Sequence, residues 1–412
     1  MTVLCALKGA GVAMSGTKSE THMNIKPLEA MIPFHRASLG EEEVQAVVDV
    51  IRSGWLTMGA KTFEFEKEFA KYVGARHAVA VCSGTAALHV ALEAAALRSG
   101  DEVLIPATTF TATGEAVTYV GGRPVLVDID PITLNIEVSA AKRTISPRTR
   151  ALIPVHMAGQ PCDLDELHSF AQKYKLHVIE DAAHALPSEY RGRRVGSLSE
   201  LTAFSFYATK TLTTGEGGMV TTDNDDYAAR MRLMRLHGIA GDAWKRYGKN
   251  GSWYYEVMEA GYKYNPTDLQ AALGLVQLAK CDDLNQARHR VAERYTSAFK
   301  DVSMLETPTI KSDRVTSWHL YILRLRLEQL RIDRNGFINE LKERGIGSSV
   351  HFIPLHLHPY YQRAYGYRRG DFPVAEAQFE RCLSLPIYPS MSHTEVDYVI
   401  DTVIKISTAA KR

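Results

Sequence analysis

The chain has 412 residues, of which 45% are hydrophobic and 23% charged, and its 48 Lys and Arg almost balance its 47 Asp and Glu, for a net charge of +1. This profile is ordinary for a folded globular protein, and the charge balance argues against nucleic acid or an anionic membrane as a partner. No apolar run reaches the roughly 18 residues of a membrane span. The five cysteines are scattered and lack CxxC spacing, which argues against a disulfide framework or a metal site and favours the reducing cytoplasm.

The predicted elements begin with two helices. Val44, Val47, Val48 and Ile51 recur at helical spacing and predict a helix over Glu41–Ser53, which Gly54 is placed to end. Phe63, Phe65 and Phe69 mark a second helix. Short apolar runs then predict strands over His77–Cys82, Glu102–Pro106, Arg123–Asp130, Ala151–His156 and His177–Asp181. Helical patterns over Thr85–Leu97 and Leu164–Tyr174 lie between them.

Strands that alternate with helices predict an α/β fold with a mostly parallel sheet sandwiched by helices. Beyond this region a charged helix over Leu284–Lys300, a strand over Tyr321–Leu327, a helix over Asn335–Arg344, a short strand over Val350–Pro354 and two final helices predict a small α+β domain. We therefore expect a flexible N-terminal extension over 1–31, a large domain over 32–283 and a small C-terminal domain over 284–412.

The turn after the first strand is a candidate anion site. Gly84 permits a tight turn, and the helix that follows begins with free backbone N–H groups at Thr85 and Ala86, which suit a phosphate. The alternative is an ordinary helix cap made by Ser83 or Thr85.

Two further strands end in residues that fit a flat, charged ligand. Phe110 follows the second strand, where it would stack on a ring, although a core Phe is the commoner explanation. Asp181 ends the strand over His177–Asp181 and His184 follows it; a buried acid there needs a positive partner, unless Asp181 only caps a helix.

Lys210 follows the apolar stretch 203–208. Desolvation lowers the pKa of an amine and makes it a usable nucleophile, whereas a surface lysine that extends to solvent is the alternative. A phosphate turn, a stacking aromatic, a buried Asp and a buried Lys, in that order on a parallel sheet, are together the parts that pyridoxal phosphate (PLP) requires.

Six ordered blocks also carry a family resemblance over nearly everything after Ile32. They are SGWLTMG, CSGTAALH, VIEDAAHA, FSFYATKTLTTGEGG, GYKYNPTDLQAALG and SVHFIPLHLHPYY. The chain resembles the DegT/StrS family of sugar aminotransferases, which are PLP enzymes of fold type I. The GYKYN and HFIPLH blocks look like those of enzymes for UDP-linked 4-keto sugars of the 4-keto-arabinose type.

The resemblance implies a role for each matching residue. Lys210 would be the Schiff-base lysine and proton shuttle, Asp181 the partner of the pyridinium nitrogen and His184 a neighbour of the ring hydroxyl. Gly84, Thr85, Ala86 and Ser205 would contact the phosphate, and Phe110 would stack on the ring. Asn265 would reach the phosphate from a second chain, which implies a homodimer with shared sites, and Thr57, His351 and His356 would contact the substrate.

The implied activity is transfer of an amino group from L-glutamate to a nucleotide-linked keto sugar, for a cell-surface glycan or an antibiotic. Some family members are dehydratases with His where Lys210 stands, so the lysine favours transamination. An aminotransferase for a keto-cyclitol, a PLP dehydratase and a non-catalytic regulatory protein of the same fold are the alternatives.

Overall fold

The computed structural model describes residues 31–240 and 253–412. Its helices are α1 (Glu41–Ser53), α2 (Ala60–Val73), α3 (Gly84–Ala94), α4 (Thr111–Tyr119), α5 (Val138–Thr144), α6 (Leu164–Tyr174), α7 (Asp225–Met234), α8 (Asp268–Ala279), α9 (Cys281–Phe299), α10 (Arg334–Glu343), α11 (Pro359–Tyr365), α12 (Pro373–Arg381) and α13 (His393–Ala409). Its strands are β1 (His77–Val81), β2 (Glu102–Pro106), β3 (Arg123–Val127), β4 (Thr149–Leu152), β5 (His177–Asp181), β6 (Glu189–Tyr190), β7 (Arg193–Arg194), β8 (Leu201–Ser205), β9 (Gly218–Thr222), β10 (Leu305–Glu306), β11 (Arg314–Val315), β12 (Tyr321–Leu325) and β13 (Cys382–Leu385).

A seven-stranded sheet in the order β1-β9-β8-β5-β4-β2-β3 organises the larger part of the fold. The pairs from β8 to β3 are parallel, whereas β9 is antiparallel to both of its neighbours. Strands β1 and β8 therefore point the same way, and the carboxyl ends of β1, β2, β5 and β8 lie at one edge of the sheet. The predicted mostly parallel sheet is confirmed.

The central strands are buried on both faces, which explains why they read as continuous apolar runs. The predicted bounds of α1, α6, β2 and β5 match the structure, and Gly54 ends α1 with φ 74°, in the left-handed region. Strands β8 and β9 complete the sheet.

The C-terminal region has an apolar cluster of its own, built by helices α9, α10 and α13 around the strands β12 and β13. Ile32, from before the first helix, belongs to this cluster. Other C-terminal residues, among them Leu355 and Tyr361, pack into the core of the large sheet instead. The division of the chain at 283/284 stays a prediction, and the predicted extension lies, apart from Met31, outside the described residues.

Two expectations for the C-terminal region are wrong. Residues Val350–Pro354 form no strand; among the described residues, the neighbouring sheet contact is a single bridge between Ser349, just before this segment, and Ser384. Instead of two final helices, three follow this segment, and β13 lies between the last two. The apolar run that pairs with β12 is therefore β13, later in the chain.

No helix in the described parts of the chain is both long enough and apolar enough to cross a membrane.

Helix α2 begins at a glycine cap, so its first N–H groups need an acceptor from elsewhere. The buried carboxylate of Asp268, at the start of α8, supplies one. It accepts hydrogen bonds from the backbone N–H groups of Gly59 (2.8 Å), Lys61 (3.1 Å) and Thr62 (3.0 Å), and from the Thr62 hydroxyl (2.7 Å). One side chain thus caps one helix from the start of another.

We expect Asp268→Ala to lower the free energy of unfolding by about 3 kcal/mol, because it removes a cap and leaves buried donors without an acceptor. The matched control is Asp49→Ala, on the exposed face of α1, which should change stability by less than about 0.5 kcal/mol. Urea unfolding followed by circular dichroism measures both variants. Equal stabilities for the two variants would contradict this role of Asp268.

Candidate active site

The candidate residues meet at the edge of the sheet where the parallel strands end. Ser83 follows β1, Asp181 ends β5 and Lys210 lies just beyond β8. These positions are far apart in the chain, and the topology alone brings them together. Ligands of open α/β sheets bind at this edge.

The turn after β1 packs so closely against the ends of β8 and β9 that Gly84 and Gly218 have no room for a side chain. The Ser83 hydroxyl caps α3 by accepting a hydrogen bond from the Ala86 N–H (3.0 Å). A Cβ added at Gly84 would lie 2.7 Å from the Cβ of Ser205, and one at Gly218 would lie 2.3 Å from the Ser83 carbonyl oxygen. Ser83 therefore caps α3, as the alternative interpretation expected, while Gly84 and Thr85 of the same turn line the cavity, where the anion site was predicted.

Asp181 is 5% exposed, and each carboxylate oxygen has a donor. Oδ2 accepts from the Thr113 hydroxyl (2.8 Å), and Oδ1 accepts from the Ala183 N–H (3.1 Å). Burial raises the pKa of Asp181, while these two hydrogen bonds and the charge of Lys210 oppose the rise. This carboxylate is thus arranged to face a cation.

Lys210 lies in the turn after β8, where its backbone N–H donates to the Tyr207 carbonyl oxygen (2.9 Å). Burial lowers the pKa of Lys210 to about 8, and the Asp181 carboxylate acts in the opposite direction. An amine with this pKa is neutral in a substantial fraction of molecules near neutral pH, as a general base or nucleophile requires.

Three histidines border the same cavity. Burial, the charge of Lys210 and the neighbouring histidines lower the pKa of His184 and of His319 well below the usual value, and burial and Lys210 lower that of His351 to about 4. The rings of His184 and His319 are 4.4 Å apart, and the Nδ1 atom of each is buried with no hydrogen-bond partner among the described residues. These imidazoles are therefore neutral at physiological pH.

The cavity has a volume of about 550 Å³, and the half-exposed ring of Phe110 lies on its wall. The predicted residues that line it are Gly84, Thr85, Phe110, Asp181, His184, Ser205, Lys210 and His351. The structure thus brings most of the predicted site into one concave space.

Four predicted residues do not line the cavity of their own chain. The Ala86 N–H is already bonded to Ser83, Thr57 is exposed, and His356 is fully buried with its Nε2 2.8 Å from Glu376 Oε1. Asn265 bonds to its neighbours Lys263 and Pro266. The predicted role of Asn265 on a second chain is compatible with this position.

Sequence reasoning missed several lining residues, namely Phe34, Thr109, Tyr207, Glu216, His319 and Phe352. Tyr207, Glu216 and Phe352 lie inside quoted blocks and could have been found there. His319 follows Trp318, a non-glycine residue with φ 48°, and carries no signal in the sequence that would place it beside β5.

Comparisons with known proteins agree with this geometry. The sequence matches the DegT/DnrJ/EryC1/StrS aminotransferase family over residues 37–404. It is 50% identical to the uncharacterized protein MJ1066 of Methanocaldococcus jannaschii over 378 residues, and 49% identical to the spore coat polysaccharide biosynthesis protein SpsC of Bacillus subtilis over 380 residues; each alignment covers 92% of this chain and 98% of the relative.

The fold is similar to that of Spr1654 of Streptococcus pneumoniae, which is described as a sugar aminotransferase. Its PLP-form and PMP-form superpose with TM-scores of 0.86 and 0.87, at 35% and 36% identity, over 92% of this chain and 99% of that chain.

The pH dependence of amine labelling should distinguish Lys210 from exposed lysines. In the cofactor-free protein we expect half-maximal reaction of Lys210 with acetic anhydride near pH 8 rather than 10.5, because burial disfavours the charged amine. Asp181→Asn should move the midpoint to lower pH, since the lost negative charge raises the pKa of Lys210 in the wild type. Peptide mass spectrometry with exposed Lys71 as internal reference measures both, and a wild-type midpoint near 10.5 would contradict the expectation.

Proposed function

The chain belongs to the DegT/DnrJ/EryC1/StrS aminotransferase family, and we propose that it transfers an amino group from L-glutamate to a nucleotide-linked 4-keto sugar. It is a PLP-dependent sugar aminotransferase with the fold of type I PLP enzymes. The observation that carries the proposal is one cavity that contains an amine with a pKa of about 8, at Lys210, together with the carboxylate of Asp181.

The residues around the cavity fit the cofactor. The N-terminus of α3 presents Gly84 and Thr85, and Ser205 adds a hydroxyl; these groups would hold the phosphate. Phe110 would cover one face of the ring. The buried Nδ1 of His184 has no partner among the described residues, and the ring hydroxyl would provide one.

When bound, PLP supplies an electron sink for the charge that develops at the donor α-carbon. The Asp181 carboxylate, fixed by two donors, holds the proton on the ring nitrogen. Lys210 Nζ, in its neutral form, takes the proton from the donor α-carbon. Lys210 would then deliver this proton to the C4′ carbon of the cofactor. In the second half of the exchange Lys210 would take a proton from C4′ and deliver it to the sugar carbon that receives the amino group.

Neutral surroundings support this use of Lys210. Because burial lowers the pKa values of His184, His319 and His351, these three imidazoles do not compete with Lys210 for a proton around neutral pH. His351 lies on the cavity wall, which supports its proposed contact with the substrate; like Thr57 and His356, it stays a prediction for that role.

The proposed active form is a homodimer. Asn265 lies outside the cavity of its own chain, so its predicted contact with the phosphate requires a second copy. We place the enzyme in the cytoplasm, where the unpaired thiols of Cys82, Cys162, Cys281 and Cys382 fit a reducing environment.

The nature of the acceptor rests on resemblance. SpsC is described as a protein of spore coat polysaccharide biosynthesis and Spr1654 as a sugar aminotransferase. The GYKYN and HFIPLH blocks favour a 4-keto sugar on a nucleotide. The product would then supply an amino sugar to a glycan or an antibiotic.

The direct test incubates the holoenzyme and L-glutamate with a panel of nucleotide-linked 3-keto sugars, nucleotide-linked 4-keto sugars and keto-cyclitols, and it detects the aminated product and 2-oxoglutarate by mass spectrometry. We expect amination of a 4-keto sugar, with one 2-oxoglutarate released for each amine transferred. Exclusive amination of keto-cyclitols, release of ammonia without transfer, or no reaction would each contradict the proposal and favour, respectively, the cyclitol, dehydratase and non-catalytic alternatives.

Lys210→Ala should reduce turnover by about 10³-fold or more, because it removes the group that moves the proton. Lys71→Ala, at an exposed position of α2, is the matched control and should transaminate like the wild type. Steady-state rates of 2-oxoglutarate release measure both. A near-normal rate in Lys210→Ala would show that the assignment of Lys210 is wrong.

A further inference from the structure

Asp181 receives its only side-chain hydrogen bond within the described residues from helix α4. The Thr113 hydroxyl lies 2.8 Å from Asp181 Oδ2, and Thr113 is completely buried. Because Thr113 has no exposed surface, its hydroxyl is shielded from bulk water. The carboxylate orientation therefore depends on a residue outside β5.

A second hydroxyl orders the first. Thr109 Oγ1 lies 2.7 Å from Thr113 Oγ1, and Thr109 lines the cavity. An ionised carboxylate accepts hydrogen bonds but cannot donate them, so Thr113 must donate its single hydroxyl hydrogen to Asp181. Its oxygen can then only accept from Thr109, which fixes a chain of two hydrogen bonds that runs from Thr109 through Thr113 to Asp181.

The backbone of α4 fixes the position of these two hydrogen bonds relative to the cavity wall. Thr113 lies in the first turn of α4, where its N–H donates to the Phe110 carbonyl oxygen (3.1 Å). Both threonines are β-branched, which restricts their χ1 angles. One turn thus presents the aromatic wall at Phe110 and, on its buried side, the hydroxyl that holds Asp181.

We propose that Thr113 is a positioning residue of the aminotransferase: its hydroxyl, ordered by Thr109, holds the Asp181 carboxylate in the orientation that faces the cavity. The inference rests on the proposed function, in which Asp181 pairs with the ring nitrogen. Without the hydroxyl, Oδ2 is buried without a side-chain donor, and of the two donors that fix the carboxylate the Ala183 N–H alone remains.

The test compares holoenzymes by kcat and KM for L-glutamate. Thr113→Val keeps the shape of the side chain and removes the hydroxyl, and it should lower kcat about tenfold while KM changes less than about twofold, the effect of one lost hydrogen bond to a charged group. Thr113→Ser should restore kcat to within about twofold of wild type, since it restores the donor. The control Thr118→Val removes a hydroxyl of the same helix that, within the described parts of the chain, bonds to the Glu115 carbonyl oxygen alone, and it should match the wild type.

A double-mutant cycle shows whether Thr113 acts through Asp181. If it does, Thr113→Val should cost much less in the Asp181→Asn background than in the wild type. Equal losses in both backgrounds, or a serine variant as slow as the valine variant, would overturn the inference. If Thr113→Val yields no folded holoenzyme, Thr109→Val tests the same chain, with a fall in kcat of about threefold that Thr109→Ser reverses; a wild-type kcat in Thr109→Val would then overturn the inference.

The two proposals fail differently. A wild-type enzyme that turns over L-glutamate while Thr113→Val matches it overturns the positioning role and leaves the proposed function intact. An inactive wild type counts against the proposed function and against the positioning role that rests on it.

Discussion

The interaction between the buried amine of Lys210 and the carboxylate of Asp181 governs the site. Burial disfavours the charged form of both groups, and each charge partly offsets the cost for the other. The same positive charge lowers the pKa of the neighbouring histidines. The site therefore combines a buried amine, a buried carboxylate and three imidazoles with lowered pKa values at one edge of a parallel sheet.

Much of this arrangement could be predicted, because buried parallel strands leave a clear pattern. Continuous apolar runs marked β2 and β5 to the residue, and the reactive groups follow directly in the chain. Asp181 and Lys210 were found because polar groups are unusual beside such runs. The phosphate turn, the stacking aromatic, the buried Asp and the buried Lys indicate a cofactor only together, because the sheet places them at one edge. The family comparison agrees with PLP as that cofactor.

The rest depended on tertiary contacts that leave no local pattern. Residues Val350–Pro354 are apolar enough for a strand but form none, whereas β13 pairs with β12. His319 lies between β11 and β12 and reaches the cavity only through tertiary packing, and the sequence around Thr113 does not distinguish it from other threonines of helices. His356 lies in a quoted block, yet its side chain is bonded to Glu376 away from the cavity.

The turns at Gly84 and Ser205 touch so closely that neither can acquire a larger side chain alone, and Gly218 adds a third contact on the Ser83 backbone. This interlocking has an evolutionary consequence. A larger side chain in the turn after β1 would require a compensating change at the end of β8, so substitutions at these two places are expected to depend on each other. Changes in substrate range are therefore easier to accommodate at the rim of the cavity, where the side chain of Tyr207 is exposed and lies outside this contact.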